Sequence, residues 1–124
     1  MIAADSSSLI AFIQNDSGKD VEAVDVSLAA GQLAIVPVVL SELLSDPTIP
    51  AKHADLVKSL PMLELQEGFW IRAGLSRAIV IAKGLRARLP DALIAQSCID
   101  HDVALIARDG DFRHFAKHCG LKLV

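Results

Sequence analysis

Tyrosine is absent from the 124 residues, tryptophan occurs once and phenylalanine four times. A core built from this chain has to be aliphatic and rich in alanine. The shortage also argues against an aromatic platform for nucleic-acid bases, because such platforms use aromatics in sets. Cysteine occurs twice, at Cys98 and Cys119, with no Cys-x-x-Cys spacing. That excludes a disulfide-dense fold and a cysteine-rich zinc site. Two buried or partly buried thiols in a reducing compartment are expected instead. No apolar run reaches the length of a membrane span. Ala78-Ile79-Val80-Ile81-Ala82 is short and bounded by Arg77 and Lys83. Asp5 interrupts any apolar run near the start, so no signal peptide is visible. A cytoplasmic protein without a membrane segment is the expectation. An excess of positive charge is missing too. The formal net charge is -3, which counts against the broad basic footprint of many nucleic-acid binders.

What the chain does have is apolar bulk. Hydrophobic residues make up 52% and charged residues only 22%. This excludes a disordered chain and supplies a core for one domain over residues 1–124. No internal repeat, linker or low-complexity segment is visible.

Short apolar runs alternate with helical patterns. Met1 to Ala4 reads as a strand. Ser6, Ser7 and Ser8 offer N-cap hydroxyls to a helix carrying Leu9, Ile10, Phe12 and Ile13. Asp16-Ser17-Gly18 breaks it. Val21, Val24, Leu28 and Ala29 share one face of a second helix, which Gly31 stops. Leu33 to Val36 is a buried-type strand. Pro37 suits the first turn of a helix running to about Ser45. Ala51 to Ser59 predicts another helix, and Met62 to Leu65 a strand near an edge. Gly68 to Leu85 is helical in pattern. Leu89-Pro90-Asp91 opens a helix, with Asp91 placed as a cap. Val103 to Ala107 is the clearest strand. Asp111 caps a short helix carrying Phe112 and Phe115, and Leu121 to Val124 is a last strand. Alternation of this kind implies crossover connections and a parallel sheet in an α/β fold.

The acids fall at the ends of these runs. Asp5 follows the first strand, and Glu42 comes about a turn beyond the second. Asp91 opens an apolar helix, and Asp109 closes the Val103–Ala107 strand with Asp111 beside it. In open α/β sheets ligands bind beyond the carboxyl ends of the strands. Acids gathered there repel one another unless a cation neutralises them, and carboxylates suit Mg²⁺ or Mn²⁺. Each acid alone has an ordinary reading. Asp5, Asp91 and Asp111 suit helix caps, Asp109 suits a turn, and Glu42 suits a solvated face. Together they point to metal-dependent phosphate chemistry. Lys83, Arg86 and Arg88 precede Asp91 and are candidate RNA phosphate contacts, or a solvated helix end. His114 and His118 are spaced as a zinc pair, but no third ligand is evident.

The acids come in a telling order: Asp5-Ser6-Ser7-Ser8-Leu9-Ile10, Leu40-Ser41-Glu42-Leu43, Leu89-Pro90-Asp91-Ala92-Leu93-Ile94-Ala95, and Leu105-Ile106-Ala107-Arg108-Asp109-Gly110-Asp111-Phe112. This series resembles the PIN-domain nucleases, and among them the VapC toxins of VapBC toxin–antitoxin pairs. The resemblance implies a three-layer α/β/α sandwich around a mainly parallel sheet of four or five strands. It implies a Mg²⁺- or Mn²⁺-dependent endoribonuclease with Asp5, Glu42, Asp91 and Asp109 as its acidic quartet and Asp111 as auxiliary. Asp5, Asp91 and Asp109 are expected to hold the metal. Glu42 and Asp111 would orient waters or hold a second, weaker ion. Ser7 falls where the family carries a small polar residue that steadies the first acid. Ala107 departs from the family, which often has Thr or Ser there. A small antitoxin, a second copy of the chain and an RNA substrate are the implied partners.

Other readings compete. A housekeeping PIN nuclease of RNA maturation and a catalytically weak PIN-like binding module fit the same pattern. A phospho-acceptor receiver domain fits less well, because Leu65-Gln66 offers no acceptor acid. A phosphatase with an Asp nucleophile lacks its second Asp two residues after Asp5.

Overall fold

The computed structural model describes residues 1–124. Strand β1 (Ile2–Ala4) leads into helices α1 (Ser6–Ile13) and α2 (Lys19–Ala29), then strand β2 (Leu33–Ala34). Helices α3 (Pro37–Leu44), α4 (Ala51–Ser59), α5 (Phe69–Ala82) and α6 (Leu89–Asp100) follow. Strand β3 (Ala104–Ile106) and helix α7 (Phe112–Cys119) complete the order. Pro37 opens α3 at its first turn, as its fixed φ and missing N–H favour. Gly84 (φ 74°) turns the chain just after α5. Helix α5 therefore stops at Ala82, short of the expected Leu85.

The sheet is parallel, in the order β2-β1-β3. Ile2 and Ala3 lie opposite Leu33 and Ala34 on one side, and Ile2, Ala3 and Ala4 lie opposite Ala104, Leu105 and Ile106 on the other. Three strands form rather than four or five. The other two expected strands, Met62–Leu65 and Leu121–Val124, shrink to single parallel bridges, Ile35 with Met62 and Leu105 with Leu123. At one edge, Pro61 accepts from Ile35 N–H and Leu63 N–H donates to Ile35 O. Pro61 has no N–H with which to extend that ladder. At the other edge only Leu105 pairs with the Lys122–Val124 segment.

Successive strand residues point to opposite faces. Ala3 and Ala4 are both 0% exposed, so helices cover both faces of the sheet. Helix α2 packs on β2, β3 and α1, whereas α6 packs on β3, α5 and α7. One core of 24 residues draws on segments from Ala3 to Leu121, chiefly Ala, Val, Leu and Ile with Phe112 and Phe115. Small residues at the centre of the sheet let the helices approach closely, which an aromatic-poor chain requires. Helix α6 is buried nearly all round. Even Gln96 and Ser97 lie inside, with Gln96 accepting from Ser76 Oγ at 2.6 Å and donating to Asp100 Oδ1 at 2.8 Å. The Arg72 guanidinium, bonded to Asp100, holds that carboxyl below its ordinary 3.8 and ties α5 to α6.

Strand β1 lies in the middle. The chain passes from it to β2 on one side and reaches β3 on the other. The switch in direction places a crevice beyond the carboxyl ends of β1 and β3, where ligands bind in such folds.

Candidate active site

Asp5 is the first residue beyond β1 and the N-cap of α1. Its Oδ1 accepts the Ser8 N–H at 2.7 Å and its Oδ2 accepts the Arg108 N–H at 3.2 Å. The first bond caps the helix. The second ties the carboxylate to the end of β3, 103 residues away in sequence. Asp5 is only 2% exposed, and two N–H donors offset the cost of that burial. Asp5 therefore caps a helix and still lines the cavity described below. The serine hydroxyls expected as caps do not take that place.

Asp91 behaves differently from expectation. The N-cap of α6 is Arg88, with Leu89 and Pro90 ahead of Asp91 in the first turn. Asp91 caps nothing. Its buried carboxylate accepts instead from Arg88 Nε at 3.2 Å. Burial pushes the Asp91 carboxyl above its ordinary 3.8, the nearby Arg88 charge opposes this, and Asp109 and Asp111 add to the rise. A buried acid with that balance of neighbours is the pattern of a functional group.

Asp109 follows β3 in a turn, where its Oδ1 accepts the Asp111 N–H at 2.9 Å. Its Oδ2 accepts from Arg88 Nη2 at 2.6 Å. Asp111 stands at the N-cap of α7 but makes no capping bond with its side chain. Arg86 Nε lies 3.6 Å from its Oδ2.

One cavity, of about 230 Å³, has Asp5, Ser6, Ser7, Glu42, Asp91 and Asp109 on its walls. Arg88 and Phe112 also border it. Oxygens of Asp91, Asp109 and Asp111 lie within 4.8 Å of one another. Those three carboxylates are near enough to one another that they could hold one cation together. The donor set is all oxygen, which fits Mg²⁺ or Mn²⁺ and not a soft metal. The structure thus groups Asp111 with Asp91 and Asp109. Asp5 shares the cavity, its two oxygens already steadied by backbone N–H groups.

Glu42 is exposed on α3 and accepts from Ser6 Oγ at 2.8 Å. Ser6, not Ser7, makes a polar link between acids' supporting segments. Ser7 is exposed on the cavity wall, and the bonds that steady Asp5 come from the Ser8 and Arg108 backbones. Lys83 is the C-cap of α5 and pairs with none of the acids. Ala107 packs against the core. His114 is 3.9 Å from Asp111 Oδ1, and His101 bonds the Glu64 carbonyl at 2.7 Å.

Arg108 escaped sequence reasoning. Its guanidinium grips Asp20 through Nε at 2.8 Å and Nη2 at 3.1 Å, and reaches Asp16 and the Ser17 carbonyl. This holds Asp20 below its ordinary 3.8. The same residue's N–H bonds Asp5, so the Asp16–Asp20 segment and Asp5 are held by one residue. Asp16-Ser17-Gly18 gave only a loop signal in sequence.

A family model for the PIN domain matches residues 2–118. The chain belongs to the PIN domain family. PIN domains are in general nucleases that use divalent metals. Solved structures share the fold of this PIN domain over nearly its whole length. VapBC2 from Rickettsia felis, bound to a DNA fragment from its promoter, is 20% identical, with a TM-score of 0.75 and coverage of 100% of this chain and 98% of that one. DNA-bound VapBC from Salmonella typhimurium is 18% identical, with a TM-score of 0.71 and coverage of 100% and 98%. FitAcB from Neisseria gonorrhoeae is 16% identical, with a TM-score of 0.69 and coverage of 99% and 96%. No curated protein matches by sequence. No helix is long and apolar enough to cross a membrane.

Proposed function

We propose that this PIN domain is a divalent-metal-dependent endoribonuclease and the toxin of a toxin–antitoxin pair. The observation that carries the nuclease reading is the meeting of Asp91, Asp109 and Asp111 oxygens within 4.8 Å at the switch-point crevice. Those three residues would hold the ion, with Asp5 facing it from the same cavity. A bound Mg²⁺ or Mn²⁺ supplies an activated water and neutralises charge on the scissile phosphate. The chain's own part is positioning. Asp5, fixed by two N–H donors, offers an immobile acceptor for a water proton. Glu42, oriented by Ser6, offers a second at the rim. Arg86 and Arg88 bring positive charge to where a phosphate would arrive. Hydrolysis in this way leaves a 5′-phosphate and a 3′-hydroxyl.

The toxin reading is supported by likeness to toxin–antitoxin complexes along the full chain. A small antitoxin presenting Arg or Lys to the acids would silence the site through charge-assisted bonds. The binding-module reading draws on Ala107, which brings no hydroxyl to the crevice. One experiment separates these. The purified chain is incubated with total bacterial RNA in Mn²⁺, in Mg²⁺ and in EDTA, beside Asp5→Asn. Discrete fragments that need metal and disappear in the variant are expected. Full activity of Asp5→Asn would sink the assignment of Asp5. Absence of cleavage by the folded chain would favour the binding module. Addition of the cognate antitoxin should suppress the fragments.

A second copy of the chain is the other proposed partner. Ile71, Leu75 and Ile79 recur every four residues along α5 and are 71%, 61% and 46% exposed, with Trp70 beside them at 66%. A ridge of that spacing suits packing against a like helix. Light scattering at micromolar concentration should give a dimer, and Leu75→Asp a folded monomer. A monomeric wild-type chain would contradict this.

A further inference from the structure

Arg88 bridges two acids of the cation-binding group. Its Nη2 is 2.6 Å from Asp109 Oδ2 and its Nε is 3.2 Å from Asp91 Oδ2. A metal ion would draw on the same carboxylates. Guanidinium and metal therefore compete for one set of lone pairs. The backbone around Arg88 is anchored. Ala87 is buried and its carbonyl accepts from Arg77 Nε at 2.8 Å, while Arg88 O accepts the first N–H bond of α6, from Ala92, at 3.1 Å. The side chain is not anchored in that way, being 49% exposed. An ion pair so open to solvent holds weakly. A divalent ion carries twice the charge and approaches oxygen more closely. The fixed backbone lets the guanidinium leave the acids without leaving the rim of the cavity.

We propose that Arg88 is a resident counter-ion of the acidic group, which a divalent cation displaces from Asp91 and Asp109 and which then turns to a substrate phosphate. The inference rests on the nuclease reading above. It differs from a plain phosphate contact standing clear of the acids, whose removal would change metal affinity only through salt-screened charge repulsion. It differs also from a structural brace, whose loss would misplace the acids and weaken metal binding. Competition predicts that removing the guanidinium strengthens metal binding, and that lysine, which keeps the charge without the two-acid bridge, shows part of that gain where charge repulsion alone would give none.

The test is Mn²⁺ titration of the full chain without RNA, by calorimetry or paramagnetic resonance, for wild type, Arg88→Gln and Arg88→Lys. Arg88→Gln should bind Mn²⁺ about threefold to tenfold more tightly. Arg88→Lys keeps a charge but loses the fork that spans two acids, so its gain should be smaller. The KM of Arg88→Gln for a short RNA should rise about tenfold as a phosphate contact is lost. Circular dichroism checks the fold of each variant. Unchanged or weaker Mn²⁺ binding by the folded variants overturns the inference. Wild-type chain that cuts RNA in Mn²⁺ while the variants gain no affinity removes this inference alone. Wild-type chain that neither binds Mn²⁺ nor cuts RNA removes the nuclease reading with it.

Discussion

Asp91→Asn is expected to lower kcat/KM for RNA by more than about a hundredfold, since loss of a mere supporting partner of a metal ligand already costs about 10–100-fold. Asp91 is 6% exposed, in the first turn of α6, and stands with Asp109 and Asp111 in the one group of acids whose oxygens could share an ion. The amide keeps the shape and removes the charge. The fold should survive, and the direction of the Asp91 shift says why. Burial raises its folded pKa above 3.8, the value it takes when unfolded. From pH 3.8 to the raised value the folded chain binds more protons, so stability falls as pH rises through that window. Above it, the full cost of an ionised, buried Asp91 is present. The amide removes that cost. Melting at neutral pH should therefore be unchanged or higher in the variant, and the loss of stability across the window should flatten. Single-turnover cleavage and thermal melts across pH measure both. Wild-type cleavage by the variant would take Asp91 out of the chemistry.

Phe112→Ala should lower stability by about 3–5 kcal/mol, the usual cost of truncating a buried aromatic. The ring is 1% exposed and belongs to the main core. It also borders the acid cavity, directly after the Asp109–Gly110–Asp111 turn. Truncation would leave a void under the turn that aims two of the acids. A domain of this size has about 5–15 kcal/mol of stability in total. A melting temperature lower by about 10–20 °C is expected from calorimetry. Cleavage at temperatures where the variant stays folded should also decline, because Asp109 and Asp111 lose their support. A fall under about 1 kcal/mol would show that neighbouring residues collapse into the gap.

Local signals in the sequence carried most of the architecture. Pro37 and Gly31 mark element ends because each restricts or frees φ at its own position. The apolar runs Ile2–Ala4, Leu33–Val36 and Val103–Ala107 mark strands, and an acid beyond each run marks the sheet edge at which the acids gather. Absence of tyrosine fixed an aliphatic core. These features depend on neighbours a few residues apart, so one sequence suffices to read them. Tertiary structure decided the rest. Pro61 and the single pairing of Leu105 narrowed the sheet to three strands. Helix α6 is buried on nearly all sides, so its Gln96 and Ser97 disguise a core helix as an amphipathic one. Whether an acid caps a helix was equally hidden: Asp5 does and Asp91 does not, although both line one cavity. The grouping of Asp111 with Asp91 and Asp109, the Arg88 bridge and the Arg108 clamp depend on contacts between segments far apart in the chain. Arg88 meets Asp109 across 21 residues and Arg108 meets Asp5 across 103. No local preference encodes those meetings; the β2-β1-β3 order does, by setting the ends of β1 and β3 side by side.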